Sequence, residues 1–168
     1  MHCRISLIDT DMNIKKMVVL AGFILLPLLI GAISGIATAS SVTSWYAELN
    51  KPEFSPPNWL FAPVWTLLYL LMGVSAFLVY YSPGSADRLL SMDLFFVQLA
   101  FNFSWSWVFF WFQSPGFAVI NIIILLILIV LMIHRYYKVN RLAALLQLPY
   151  LCWILFASTL NTAVWYLN

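Results

Sequence analysis

The chain has 168 residues, of which 64% are hydrophobic and only 8% charged, with a net charge of +2. A soluble domain of this size carries about 25% charge and must cover its surface with polar groups, so a water-soluble fold is excluded. No basic or acidic run is long enough to suggest nucleic acid, and Cys3 and Cys152 are too few for a disulfide framework. What remains is a chain dissolved in a bilayer, where each spanning helix needs ~20 mostly apolar residues.

Residues 1–13 are mixed and polar and read as a disordered tail, with Met12 as a second candidate start. Lys15 and Lys16 stand at the head of the first helix, 14–39. Two lysines, an apolar run and Ala37-Thr38-Ala39 imitate a secretory signal, but the run exceeds the ~7–15 residues usual there, so the helix reads as retained. Pro27 should kink it, and Gly31 and Gly35 allow a neighbouring helix of the bundle to come close. A loop rich in Trp and Pro follows over 40–59, stiffened by Pro52, Pro56 and Pro57. The second helix covers 60–81, with Pro63 in its first turn where no hydrogen bond is lost. Pro83-Gly84 makes a turn, the third helix covers 89–111, and Ser114-Pro115-Gly116 makes another turn. The fourth helix, 117–134, is almost pure Ile, Leu and Val and reads as lipid-facing. His134, Arg135, Lys138 and Arg141 mark the next interface. The fifth helix runs 142–166, with Pro149 kinking it or delaying its start.

Lys and Arg set the orientation. Arg4, Lys15, Lys16, Arg88, Arg135, Lys138 and Arg141 fall on one side, and Lys51 alone on the other. Positive charge marks the cytoplasmic side. In a bacterial cell membrane this places the N-terminus inside, and the 40–59 loop and the C-terminus outside.

Catalytic constellations are absent: there is no Cys-x-x-Cys, no paired His, no phosphate loop and no nucleophile elbow. His2 and His134 stand alone and read as polar surface residues, so no metal site is expected. No acidic or basic group falls at membrane depth, which argues against an ion-coupled pump. The interior is instead aromatic and neutral polar. Trp65, Tyr69, Met72 and Ala76 share one face of the second helix, Gln98, Asn102 and Trp105 one face of the third, and Trp153, Ala157, Asn161 and Trp165 a stripe on the fifth. Such faces point inward, either to bond the helices together or to line a pocket. A pocket walled by indole and phenol would suit a large, flat, apolar ligand such as a porphyrin, haem or a sterol.

Three segments resemble a known family. Trp45-Tyr46, Lys51-Pro52, Pro56-Pro57-x-Trp59, Pro63-Val64-Trp65-Thr66, Tyr69 and Met72-Gly73 form the first. Gln98-Leu99-Ala100-x-Asn102-x-x-Trp105 is the second, and Pro149-Tyr150-x-x-Trp153-x-x-Phe156-Ala157-x-x-Leu160-Asn161 the third. Together they resemble the TspO/MBR family over roughly Met17 to Asn168. The resemblance implies an all-α membrane protein, a bundle of five transmembrane helices whose loop between helices one and two caps a pocket, often as a homodimer. It implies binding of protoporphyrin IX or haem as ligand rather than obligate cofactor, and of isoquinoline and benzodiazepine compounds. Family ligand positions match Trp65, Trp105, Trp153, Ala157 and Leu160, and pocket or lid positions match Asn102 and Trp45; Tyr69 and Asn161 join them from the inward faces. Animal members end the fifth helix with Tyr and then Arg. No base follows Tyr166 here, which counts against high-affinity cholesterol binding.

The expected function is porphyrin transport, sequestration or sensing in the membrane. The alternatives are light-dependent porphyrin breakdown with Trp65 and Trp153 as redox partners, and a dimeric scaffold using the Ala100-x-x-x-Ser104 pair.

Overall fold

Long apolar runs separated by proline turns become long helices in the computed structural model. It describes the backbone from residue 2 to residue 168 and side chains from residue 13 onward. The tail expected at residues 1–13 falls almost wholly on residues whose side chains lie outside this description. The helices are α1 (His2–Val42), α2 (Trp45–Glu48), α3 (Phe61–Tyr80), α4 (Ala86–Ser106), α5 (Pro115–Val139), α6 (Arg141–Leu146) and α7 (Leu148–Leu167). Five stretches are long and apolar enough to cross a membrane: Asn13–Val42, Asn58–Tyr80, Ala86–Trp111, Pro115–Val139 and Arg141–Leu167. They contain the expected spans, apart from a residue at the end of the second.

Local chemistry explains where the boundaries moved. α4 begins three residues earlier than expected because Ser85 caps it, its hydroxyl accepting from the Arg88 N–H at 3.1 Å. α5 continues past 134, and Arg135 on this extension pairs with Asp87 of α4 at 2.7 Å. The expected fifth helix is broken. Asn140 caps α6 by accepting from the Ala143 N–H, and the chain turns at Gln147. Pro149, lacking an N–H, sits in the first turn of α7, where its absence costs nothing. The third span ends in a π-type segment, Trp107–Trp111, in which the Phe112 N–H reaches back five residues to the Trp107 carbonyl at 2.9 Å. The 40–59 loop is partly helical, containing α2, and a 3-10 turn at Asn58–Leu60 leads into α3.

The long helices close a ring in the order α1, α3, α6–α7, α5, α4 and back to α1. One core cluster includes Met72, Ala76, Val79, Phe95, Leu99, Ile122, Ile129, Met132, Tyr136 and Tyr150. A second, beneath α2, holds Tyr46, Phe109, Ala118 and Val164. α3 packs extensively on α6 but only sparsely on α7, so α3 and α7 part toward the loop end of the bundle. The space between the two clusters is the candidate site.

Glycine decides how closely α1 and α3 approach. A Cβ at Gly73 would lie 2.6 Å from the Ile24 Cα and the Phe23 carbonyl oxygen. At Gly31 it would strike the Tyr69 ring, while at Gly35 it would meet nothing within 4 Å. The close helix contact thus belongs to Gly73, and the expected pair Gly31 and Gly35 serves a side chain and an open space instead.

Candidate functional site

A cavity of about 500 Å³ opens between α1, α3, the α4–π junction and α7, with Tyr46 and Asn58 from the loop at its upper end. Its size falls within the ~300–1,000 Å³ typical of small-molecule sites. Trp65 and Tyr69 project from α3, Trp105 from α4, and Trp153, Ala157, Leu160 and Asn161 from α7. Three indoles therefore face one space from three helices. No residue of α5 lines it, yet α5 is not simply lipid-facing as its composition suggested: Ile122, Leu125, Ile129 and Met132 are buried in the core, while Ile120, Ile123 and Ile127 on its other face are exposed.

Each aromatic wall is held from behind. Trp65 stacks on Tyr69 with ring centres 5.3 Å apart and planes 27° apart, an arrangement that contributes ~0.5–1.5 kcal/mol beyond burial. The Tyr69 hydroxyl donates to Asn102 Oδ1 at 2.8 Å, Asn102 Nδ2 donates to the Tyr150 hydroxyl at 3.0 Å, and that hydroxyl donates to Gln98 Oε1 at 3.0 Å. This buried chain joins α3, α4 and α7 under the cavity. Trp105 is fixed separately: its Nε1 donates to Asn161 Oδ1, and Asn161 Nδ2 donates to the Pro115 carbonyl, both at 3.0 Å. Trp105 also stacks on Phe109 at 5.3 Å and 24°.

Trp153 is different. Phe61 and Phe156 pack against its ring at 5.8 and 5.6 Å, but its buried Nε1 has no protein partner, and neither has the Ser34 hydroxyl across the cavity. A buried donor without a partner costs about 1–3 kcal/mol. The lining contains no Asp, Glu, Lys, Arg, His or Cys. Among the described residues no group of three His, Cys, Asp or Glu is placed to hold a metal ion.

Two expected residues lie off this cavity. Asn102 sits behind Tyr69, buried in the polar chain. Trp45 packs edge-on against Phe109 at 5.8 Å and lines a separate, more open cleft with Leu49, Gly116 and Trp165. Its neighbour Tyr46 faces the cavity instead, since adjacent residues of a helix point in different directions. Burial raises the Tyr46 phenol above its ordinary pKa and keeps it neutral, and Lys51 Nζ lies 4.4 Å over its ring centre. Trp59, by contrast, is 71% exposed and fits an interfacial anchor. The sequence pattern missed the α1 wall (Gly31, Ser34, Gly35, Thr38, Ala39) and the π-segment residues Phe109 and Phe110. The Gly31/Gly35 spacing was the available signal for that wall.

Fold and site together define a five-span integral membrane protein built around an uncharged, aromatic cavity under a loop. Comparison with known proteins agrees. A TspO/MBR family model matches residues 23–167. The chain is 46% identical to the tryptophan-rich protein TspO of Archaeoglobus fulgidus, over 94% of this chain and 99% of that protein. It is 36% identical to the translocator protein of Sus scrofa over 86% of each. It is 34% identical to the tryptophan-rich sensory protein of Cereibacter sphaeroides over 74% of this chain and 77% of that one. The chain belongs to the TspO/MBR family.

Proposed function

We propose that the chain binds flat tetrapyrroles, protoporphyrin IX or haem, in this cavity and serves their transport, sequestration or sensing in the membrane. The observation that carries the reading is the convergence of Trp65, Trp105 and Trp153 on one uncharged space of about 500 Å³. Indole and phenol faces bind extended rings by stacking and burial. No His faces the cavity, so haem would be held by its ring rather than through its iron. Isoquinoline and benzodiazepine compounds, smaller flat rings, suit the same walls. Protoporphyrin IX titrated into the protein in lipid nanodiscs should give saturable quenching of tryptophan fluorescence. Trp65→Ala and Trp153→Ala should each weaken it about tenfold or more, as loss of an aromatic anchor does. Absence of saturable quenching in the wild type, or unchanged affinity in both variants, would overturn the reading.

We also propose a bacterial-type cell membrane with the N-terminus cytoplasmic, from the Lys and Arg asymmetry. A reporter active only in the cytoplasm, fused after Asn168, should stay silent. A strong signal there reverses the orientation.

A further inference from the structure

We propose that the ligand reaches the cavity sideways, from the bilayer, through a gap between α1 and α3, while the loop above stays closed. This rests on the reading that the cavity holds a flat apolar ring.

The first observation is the line of contact between the two helices. They touch backbone to backbone where Gly73 meets Ile24. One stage nearer the loop Gly31 packs on the Tyr69 ring, and further on Gly35 faces no atom within 4 Å. Between that contact and the loop, Gly35 and Ala39 of α1 and Ala62 and Thr66 of α3 line the cavity, which stands between the two helices at this depth.

The second observation is what lines the gap. Ala32, Gly35 and Ala39 on α1 and Ala62 and Thr66 on α3 line the cavity, and all five are exposed. None is larger than threonine, while the bulkier lining residues of the same two helices, Leu28, Val42, Phe61 and Trp65, are only half-exposed. The two hydroxyls beside it are neutralised by their own helices. Thr66 Oγ1 donates to the Ala62 carbonyl at 2.8 Å, and Thr38 Oγ1 to the Ser34 carbonyl at 3.3 Å. With those protons committed, the gap turns mainly carbon toward the hydrocarbon and asks a passing apolar ring for little desolvation.

The third observation is that the alternative route is fastened. The Asn50 N–H donates to Asn168 Oδ1 at 3.0 Å, and Asn168 Nδ2 donates back to the Asn50 carbonyl at 3.0 Å. This reciprocal pair ties the loop to the end of α7. The Ser41 hydroxyl, at the start of the loop, donates to the Phe110 carbonyl at 2.7 Å. On the α7 side, Phe61 reaches from α3 across the space to Trp153, with ring centres 5.8 Å apart.

The test uses the full chain in nanodiscs whose bilayer is preloaded with protoporphyrin IX, with stopped-flow tryptophan quenching as the readout. Ala39→Phe and Ala62→Phe place a ring in the gap at exposed positions. Each should slow association and dissociation together, by about tenfold; because both residues also line the cavity, the two rates and not Kd carry the test. An Asn50→Cys, Asn168→Cys pair, oxidised to lock the loop, should leave both rates at the wild-type value. Unchanged rates in both gap variants, or faster dissociation with association untouched, would overturn the portal. So would slow association in the locked loop that dithiothreitol restores. No saturable quenching in the wild type would instead remove the tetrapyrrole reading, and this proposal with it.

Discussion

Gly73→Leu is expected to abolish recovery of folded protein, and Gly73→Ala to lower the thermal midpoint in detergent by several degrees. The added Cβ would lie 2.6 Å from backbone atoms of Ile24 and Phe23, and backbone cannot swing aside as a side chain can. Overpacking of this kind costs ~1–3 kcal/mol and occasionally more. Total stabilities are only ~5–15 kcal/mol, and in a chain of this size each kcal/mol moves the midpoint by ~2–4 °C. Gly35→Ala is the control. It meets no neighbour and replaces the weaker helix former within α1, so its midpoint should hold or rise. Fluorescence-detected size exclusion after graded heating measures all three. A wild-type midpoint for Gly73→Leu would show that α1 and α3 are not locked at this point.

The second large effect concerns the polar chain under the cavity. Asn102→Leu removes the acceptor of the Tyr69 hydroxyl and the donor to Tyr150 in one step. The Tyr69 hydroxyl, left buried without a partner, costs ~1–3 kcal/mol, and the lost bond to the Tyr150 hydroxyl, which still donates to Gln98, about 0.5–1.5 kcal/mol more, giving a loss of ~2–4 kcal/mol in the same melting assay. It should also weaken protoporphyrin binding, although Asn102 does not line the cavity, because Trp65 stacks on the ring that Asn102 holds. Tyr69→Phe keeps that ring and removes only its hydroxyl, so it should lose less stability and retain most of the affinity. Equal affinity for wild type and Asn102→Leu would show that Tyr69 is positioned by packing alone.

The spans were legible because hydropathy in a bilayer is nearly a one-variable problem: every backbone polar group must be satisfied within the helix. The site was legible where a side chain carried the signal. Trp65 with Tyr69, and Trp153 with Ala157 and Asn161, could be seen to share a face by counting. The α1 wall was not, because Gly35 and Ala39 contribute by leaving space, and a glycine pair looks the same whether it admits a helix or a ligand. Phe109 and Phe110 were hidden by the π-type segment, whose extra residue per turn shifts the register that a 3.6-residue count assumes. Of the neighbours Trp45 and Tyr46, only the position of the short helix α2 shows that Tyr46 lines the cavity and Trp45 the adjoining cleft. Asn102 was correctly read as inward, but inward here means the bracing behind Tyr69.

The uncharged lining has an electrical consequence. Moving one elementary charge across 100 mV is worth about 2.3 kcal/mol, yet none of the residues around the cavity carries Asp, Glu, Lys, Arg or His. The protein's own walls therefore give the membrane field nothing to act on. Occupancy should follow the ligand's concentration in the lipid, and any voltage dependence would come from charges on the ligand itself.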